Sequence, residues 1–145
     1  MEELSSFAIK HNIPVTQTVM GYSSMKRDHS HFLGPIGGLG GKAANNLAKQ
    51  TDLAIAIGTK LADFTTGSWA NFENPEFKLI SINVSRFDAN KHMASSVIGD
   101  AKVSLNELSQ ALGNWKAPDA WHKKSVNELK SWNEYVDKES GPTNQ

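Results

Sequence analysis

The sequence contains no cysteine, so it can form neither a disulfide nor a thiolate metal site, and a cytoplasmic protein is expected. It has no excess charge of either sign, because 15 lysines and arginines balance 15 aspartates and glutamates. Nucleic acid is therefore not expected as a partner. The longest apolar run, residues 53–57, is far shorter than the roughly 18 residues that a membrane helix needs, so no membrane association is expected.

The patterning of apolar residues predicts one α/β domain. With 145 residues, of which 39% are hydrophobic, the chain has the size of a single globular domain. Helical patterns alternate with short strand-like runs, and the continuous apolar run 53–57 is typical of a strand buried on both faces of a parallel sheet. Strands are predicted at residues 15–19, 53–57, 78–84 and 97–98, and helices before Asn12, from about Lys42, after Asp100 and around residues 126–136.

The order of these elements predicts that one strand is absent. The chain begins with a helix that leads into a strand, whereas a right-handed βαβ unit has a strand before the helix. We therefore expect a three-layer parallel sheet of Rossmann-like topology that lacks its first strand. We assign residues 1–118 to this N-terminally truncated domain, and residues 119–145 to a C-terminal amphipathic helix with a loose polar tail.

A glycine-rich segment at residues 34–41 is the first candidate site. It holds five glycines and one proline in eight residues, so a loop is predicted, and its backbone N–H groups could bind a phosphate beside the following helix. The segment is not a P-loop motif, because Gly41-Lys42 is followed by Ala43, and no strand is predicted directly before it. Gly34, Gly37 and Gly38 are thus candidate ligand-binding residues, and a purely structural tight turn is the alternative.

A second candidate site follows the most apolar predicted strand. Gly58, Thr59 and Asp63 lie where that strand ends, and ligands of open α/β sheets bind at the carboxyl ends of strands. The alternative is a loop whose hydroxyl groups bond its own backbone.

Two histidines at spacing two, His29 and His31, are too few to hold a metal, so we expect no metal site and interpret them as loop-packing or solvated residues. No pattern for acid–base or covalent catalysis is present, and no catalytic residue is predicted. Trp115, Trp121 and Trp132 are interpreted as packing residues.

Five motifs occur in order along the chain: Gly34-Pro35-Ile36-Gly37, Ala43-Ala44-Asn45, Thr59-Lys60-Leu61-Ala62-Asp63, Ser81-Ile82-Asn83-Val84 and Gly99-Asp100-Ala101. Together they resemble the central domain of thiamine-diphosphate-dependent enzymes, over residues 4–122. The resemblance implies a Rossmann-like fold and a role as the middle part of a larger enzyme, with thiamine diphosphate and Mg²⁺ held by other domains. This chain alone is then structural and inactive.

Residues 63–69, 78–84 and 87–92 resemble one branch of that family. This implies a parent hydrolase that cleaves a carbon–carbon bond in a cyclic 1,2-diketone during myo-inositol catabolism, with the other domains of the enzyme as partners. Some family members bind FAD or ADP in the central domain. Asn83 stands where the family commonly has an acidic residue, which makes Asn83 a further candidate for a weak nucleotide site.

A free-standing ADP- or FAD-binding module of the same fold is the alternative function. If the first strand is absent, residues 15–19 and 53–57 each present an unpaired edge. We therefore also expect a homo-oligomer.

Overall fold

A computed structural model describes residues 2–141 of the chain. No helix in these residues is long and apolar enough to cross a membrane. The strands of the described residues are β1 (Val15–Gln17), β2 (Phe32–Pro35), β3 (Leu53–Ile57), β4 (Lys78–Asn83) and β5 (Ser95–Ile98). The α-helices are α1 (Glu2–His11), α2 (Lys42–Ala48), α3 (Asp63–Thr66), α4 (Arg86–Ala89), α5 (Ala101–Leu112) and α6 (Asp119–Glu139).

All strand pairs in these residues are parallel, so the predicted α/β class is confirmed. Strands β1 and β2 form one small sheet, and β3, β4 and β5 form another in that order. Helix α1 packs on α5, and α2 packs on α6. Helix α5 begins as predicted, because the carboxylate of Asp100 accepts from the N–H groups of Lys102 and Val103.

Strands β1 and β3 each bond to only one strand among residues 2–141, which is the pattern expected if a strand between them is absent. The parallel order within each sheet, β1-β2 and β3-β4-β5, is consistent with a Rossmann-like fold. The expectation that β3 is buried on both faces is wrong. Within β3, Leu53 is 45% exposed and only Ala56 is buried, because β3 has a neighbouring strand on one side only among residues 2–141.

The prediction that no strand directly precedes the glycine-rich loop is also wrong. Strand β2 ends at Pro35 and includes Gly34, which the sequence placed in the loop. Phe32 and Leu33 are buried and anchor this strand, which is only four residues long. Proline is tolerated there because β2 is an edge strand of its sheet.

Strand β1 is shorter than predicted. It ends at Gln17 because Oγ1 of Thr18 accepts from the N–H of Gly21 at 3.1 Å and starts a 3₁₀ turn over Val19–Gly21. Local side-chain bonding therefore competes with the last two residues of the predicted strand.

The main core lies between β2, α2 and α6. Four buried residues of α2 pack with Leu33 and Ile36, and Trp121, Leu129 and Trp132 of α6 pack against this cluster. Trp121 and Trp132 therefore pack as predicted, whereas Trp115 is half exposed. Helix α6 shares the core with the residues before it, and the boundary at residue 118 stays a prediction. The end of the predicted loose tail, residues 142–145, lies outside the described residues.

Candidate functional site

The ends of β3 and β4 bring three of the candidate residues together. The N–H of Gly58 donates to the carbonyl of Ile82 at 2.9 Å, and Nδ2 of Asn83 donates to the carbonyl of Thr59 at 3.2 Å. The other amide atom of Asn83, Oδ1, accepts from the N–H of Ser85 at 2.9 Å. Asn83 is buried, so its side chain joins the loops after β3 and β4 and does not face open solvent.

The loop after β3 also bonds to itself. Oγ1 of Thr59 accepts from the N–H of Leu61 at 3.2 Å, and the Oγ hydroxyl of Ser68 donates to Oδ2 of Asp63 at 3.1 Å. The hydroxyl of Thr66 donates to the carbonyl of Asp63. This is the geometry of the structural alternative, in which the polar side chains hold the loop's own conformation.

The glycine-rich loop uses most of its N–H donors inside the protein. The N–H of Gly37 donates to Oδ1 of Asn45 at 2.9 Å, and that of Gly38 donates to the carbonyl of Phe64 at 2.9 Å. The N–H groups of Gly40 and Gly41 donate to carbonyls within the same segment. A phosphate at this loop would have to replace these bonds.

Gly37 lies against the backbone that follows β3. Its φ of 103° is in the region that favours glycine, and a Cβ there would lie 2.4 Å from the carbonyl oxygen of Phe64. The two small sheets are thus linked at their carboxyl ends by direct backbone contact. Gly34 is separate from this contact, since it lies within β2 and a Cβ there would have no atom within 4 Å.

Sequence reasoning missed Asn45 and Asn71, which hold this contact together. Besides the Gly37 N–H, Oδ1 of Asn45 accepts from Nδ2 of Asn71 at 3.1 Å, and Nδ2 of Asn45 donates to the Gly37 carbonyl at 3.1 Å. The sequence signal for Asn45 was weak, because this partly buried residue lies beside the apolar stripe of α2 and not within it.

Among residues 2–141, the side chains present do not fit thiamine diphosphate and its metal ion. Residues 2–141 contain no group of three histidine, cysteine, aspartate or glutamate side chains that could hold a metal. Asp100, in the Gly99-Asp100-Ala101 segment, is occupied as the cap of α5. No step of cofactor chemistry is therefore assigned to residues of this chain.

Three histidines form a separate cluster, comprising His29, His31 and His122. The ring of His31 is stacked on that of His122 with centroids 4.1 Å apart, and the ring of His29 is 5.8 Å away. His31 is only 7% exposed, and burial, together with the charges of the other two rings, lowers its pKa to about 4. The cluster joins the loop before β2 to α6, so it has the packing role that the sequence suggested.

Parallel strands, flanking helices and loops at the carboxyl strand ends define a Rossmann-like α/β domain. The sequence matches the family described as thiamine pyrophosphate enzyme, central domain, over residues 1–108. This match covers well over half of the chain, and the chain therefore belongs to that family.

Curated relatives carry the name 3D-(3,5/4)-trihydroxycyclohexane-1,2-dione hydrolase. The protein of Clostridium perfringens (strain 13 / Type A) is 44% identical over 92% of this chain, and that of Bacillus cereus (strain AH820) is 46% identical over 77%. The protein of Clostridium botulinum (strain Alaska E43 / Type E3) is 43% identical over 77% of the chain. The chain spans 21% of the length of the first of these relatives and 17% of the other two.

Proposed function

We propose that this chain is the central, non-catalytic domain of a thiamine-diphosphate-dependent hydrolase. The observation that carries the proposal is the 44% identity, over 92% of the chain, to a trihydroxycyclohexane-1,2-dione hydrolase. The substrate of the parent enzyme is then a cyclic 1,2-diketone. The reaction is hydrolysis of a carbon–carbon bond of the ring, as a step of myo-inositol catabolism.

Within that enzyme the domain acts as a scaffold. Its strand-end loops are occupied by their own hydrogen bonds, which supports a structural role more than a role in holding the cofactor. Thiamine diphosphate and Mg²⁺ then bind in other domains of the parent chain.

The surface near the strand ends supports the same assignment. Six large apolar side chains follow the carboxyl ends of four strands and are exposed, as side chains that contact a neighbouring domain would be in an isolated one. In the parent enzyme the neighbouring domains would cover them. The residues are Met20, Tyr22, Leu39, Phe64, Val84 and Phe87.

A chimeric enzyme tests this proposal. The segment of the Clostridium perfringens relative that matches this chain is replaced by the chain, and consumption of trihydroxycyclohexane-1,2-dione is measured with thiamine diphosphate and Mg²⁺. We expect turnover by the chimera. We expect the isolated chain to give neither turnover nor binding heat with thiamine diphosphate and Mg²⁺.

Two outcomes would overturn the proposal. One is turnover, or micromolar thiamine diphosphate binding, by the isolated chain. The other is a chimera that folds and binds thiamine diphosphate but leaves the diketone unchanged. Calorimetry on the chimera distinguishes a failure of assembly from a wrong substrate.

A further inference from the structure

A cavity of about 520 Å³ opens at the amino ends of β4 and β5. Lys78 and Leu79 begin β4 and Ser95 begins β5, so the cavity lies at the opposite end of the sheet from the strand-end loops described above. Its volume is within the range of about 300–1,000 Å³ that is usual for small-molecule sites. No residue predicted from the sequence as a ligand-binding residue lines it.

Aromatic rings form a continuous row beside this cavity. The ring of Trp69 lies 4.5 Å from that of His92 and 5.6 Å from that of Phe72, measured between centroids. The rings of Phe72 and Phe77 are stacked at 4.7 Å. Trp69, Phe77 and His92 line the cavity itself and offer faces and edges on which a planar ring can pack.

An exposed lysine, Lys78, lies at the wall of the cavity. The ammonium group of Lys78 makes no ion pair and no hydrogen bond with any residue in the range 2–141, while its backbone N–H is fixed by the carbonyl of Asp52 at 2.7 Å. The imidazole of His92 likewise has no hydrogen-bond partner in the described part of the chain. A lysine without a counter-charge beside aromatic surface favours a ligand that carries an anionic group.

The backbone around the cavity is held in an uncommon conformation. Ser68 and Trp69 on one side, and His92 and Met93 on the other, have φ between 54° and 70°. For a residue as bulky as tryptophan this is an outlier, and such outliers cluster at ligand sites. The left-handed conformation at Trp69 and His92 accompanies the close contact of their rings at the cavity wall.

We propose that this cavity binds a planar aromatic anion, with its ring packed on Trp69 and its anionic group at the ammonium of Lys78. The fully exposed side chain of Met93 lies at the rim, and its flexible thioether adapts to the edge of such a ring. This assignment is independent of the proposed function, because it concerns the other end of the sheet.

Two dyes that differ in charge test it on the whole chain. 1-Anilinonaphthalene-8-sulfonate is an aromatic anion, and N-phenyl-1-naphthylamine is a neutral compound of the same ring system. Affinity is measured by fluorescence, and the position of binding by the four tryptophan indole N–H signals in NMR, with Trp69→Phe identifying one of them. We expect saturable binding of the sulfonate, with the Trp69 signal moving most.

Substitution of Lys78 separates charge recognition from general hydrophobic binding. Lys78→Gln should weaken the sulfonate about fivefold and leave the neutral dye unchanged, since one partly exposed ion pair is involved. Lys49→Gln is the matched control, because Lys49 is ion-paired with Glu73 and does not line the cavity. The proposal is overturned by non-saturable binding, by larger shifts at another tryptophan, or by equal effects of the two substitutions.

Discussion

The buried imidazole of His31 makes the folded state sensitive to acid. The ring is 7% exposed and stacked on His122, and its pKa is lowered from 6.5 to about 4 by burial first and by the other two histidines second. No carboxylate contributes to this shift. Oδ1 of Asn12, at 3.4 Å from Nε2, and the hydroxyl of Ser30, at 3.0 Å from Nδ1, are its polar neighbours.

The direction in which pH changes the free energy of unfolding follows from the pKa of His31 in the unfolded and the folded chain. Between pH 6.5 and pH 4 the unfolded chain binds a proton at His31 and the folded chain does not, so the free energy of unfolding falls as the pH falls through this window. Above pH 6.5 the contribution of the neutral ring is complete. From pH 7.5 to pH 5 the loss is about 2 kcal/mol for this one group, and it approaches about 3 kcal/mol near pH 4. Domains of this size have only about 5–15 kcal/mol of stability.

Urea unfolding followed by circular dichroism measures this loss at pH 7.5 and pH 5. His31→Gln replaces the titrating ring with an amide that can still donate and accept hydrogen bonds. Its free energy of unfolding should therefore fall by about 2 kcal/mol less than that of the unsubstituted chain between pH 7.5 and pH 5. His92→Gln removes an exposed histidine and should retain the full loss. Carboxylates titrate alike in all three proteins and cancel in the comparison. Equal pH dependence in His31→Gln and the unsubstituted chain would refute the reasoning.

Substitutions at the strand ends and ligand titrations test the remaining interpretations. Gly37→Ala should lower the free energy of unfolding by about 3 kcal/mol, because the new methyl group would meet the Phe64 carbonyl. Gly58→Ala is the control, because Gly58 also has a positive φ but open space around a Cβ, and it should cost about 1 kcal/mol. Equal losses in the two variants would contradict the role of the Gly37 contact. Asp100→Ala should cost about 1 kcal/mol in urea unfolding through loss of the α5 cap, and Asp100→Asn less. Calorimetric titration with ADP should give a Kd of about 1 mM or weaker, because the glycine loop's donors are already bonded, and a Kd below about 100 μM would restore the nucleotide-module alternative. Light scattering should detect a dimer or larger species, since β3 has one edge without a strand partner among residues 2–141 and carries no charge and no proline. Leu53→Lys should shift this species toward monomer. A stable monomer of the unsubstituted chain at low micromolar concentration would contradict the expectation.

The elements that were predicted well are those specified by neighbouring residues. Helix α5 has its cap at Asp100 and its apolar residues at helical spacing, so one short window contains the whole signal. The apolar run of β3 was equally local. The exposure of β3 could not be predicted from a local window, because burial of a strand depends on whether a second strand lies beside it. Strand β2 was missed for the same reason, since four residues that include Gly34 and Pro35 form a strand only through pairing with β1.

The candidate site was likewise predicted where its residues follow strands that are recognisable locally. The sequence placed Gly58, Thr59 and Asn83 at strand ends, and the structure brings them together because carboxyl ends of adjacent parallel strands meet at one edge. The cavity beside Trp69 was not predicted, because its walls come from two separate connections that approach only after β4 and β5 pair.

The glycine-rich loop has a backbone shape that can bind a ligand, but its N–H groups donate to other parts of the protein. At Gly37 the N–H meets an amide oxygen of Asn45 at 2.9 Å, which is the contact that a phosphate oxygen would make at the same donor. The next N–H, at Gly38, meets the Phe64 carbonyl across the space between the two sheets. A nucleotide would have to break both bonds, each worth about 1 kcal/mol, and separate backbones in direct contact. The Gly37 bond fixes the loop to α2, and the Gly38 bond connects it to α3, the helix that follows β3. Because β2 and β3 are not paired among residues 2–141, the Gly38 bond is a direct link between the segments that follow these two strands.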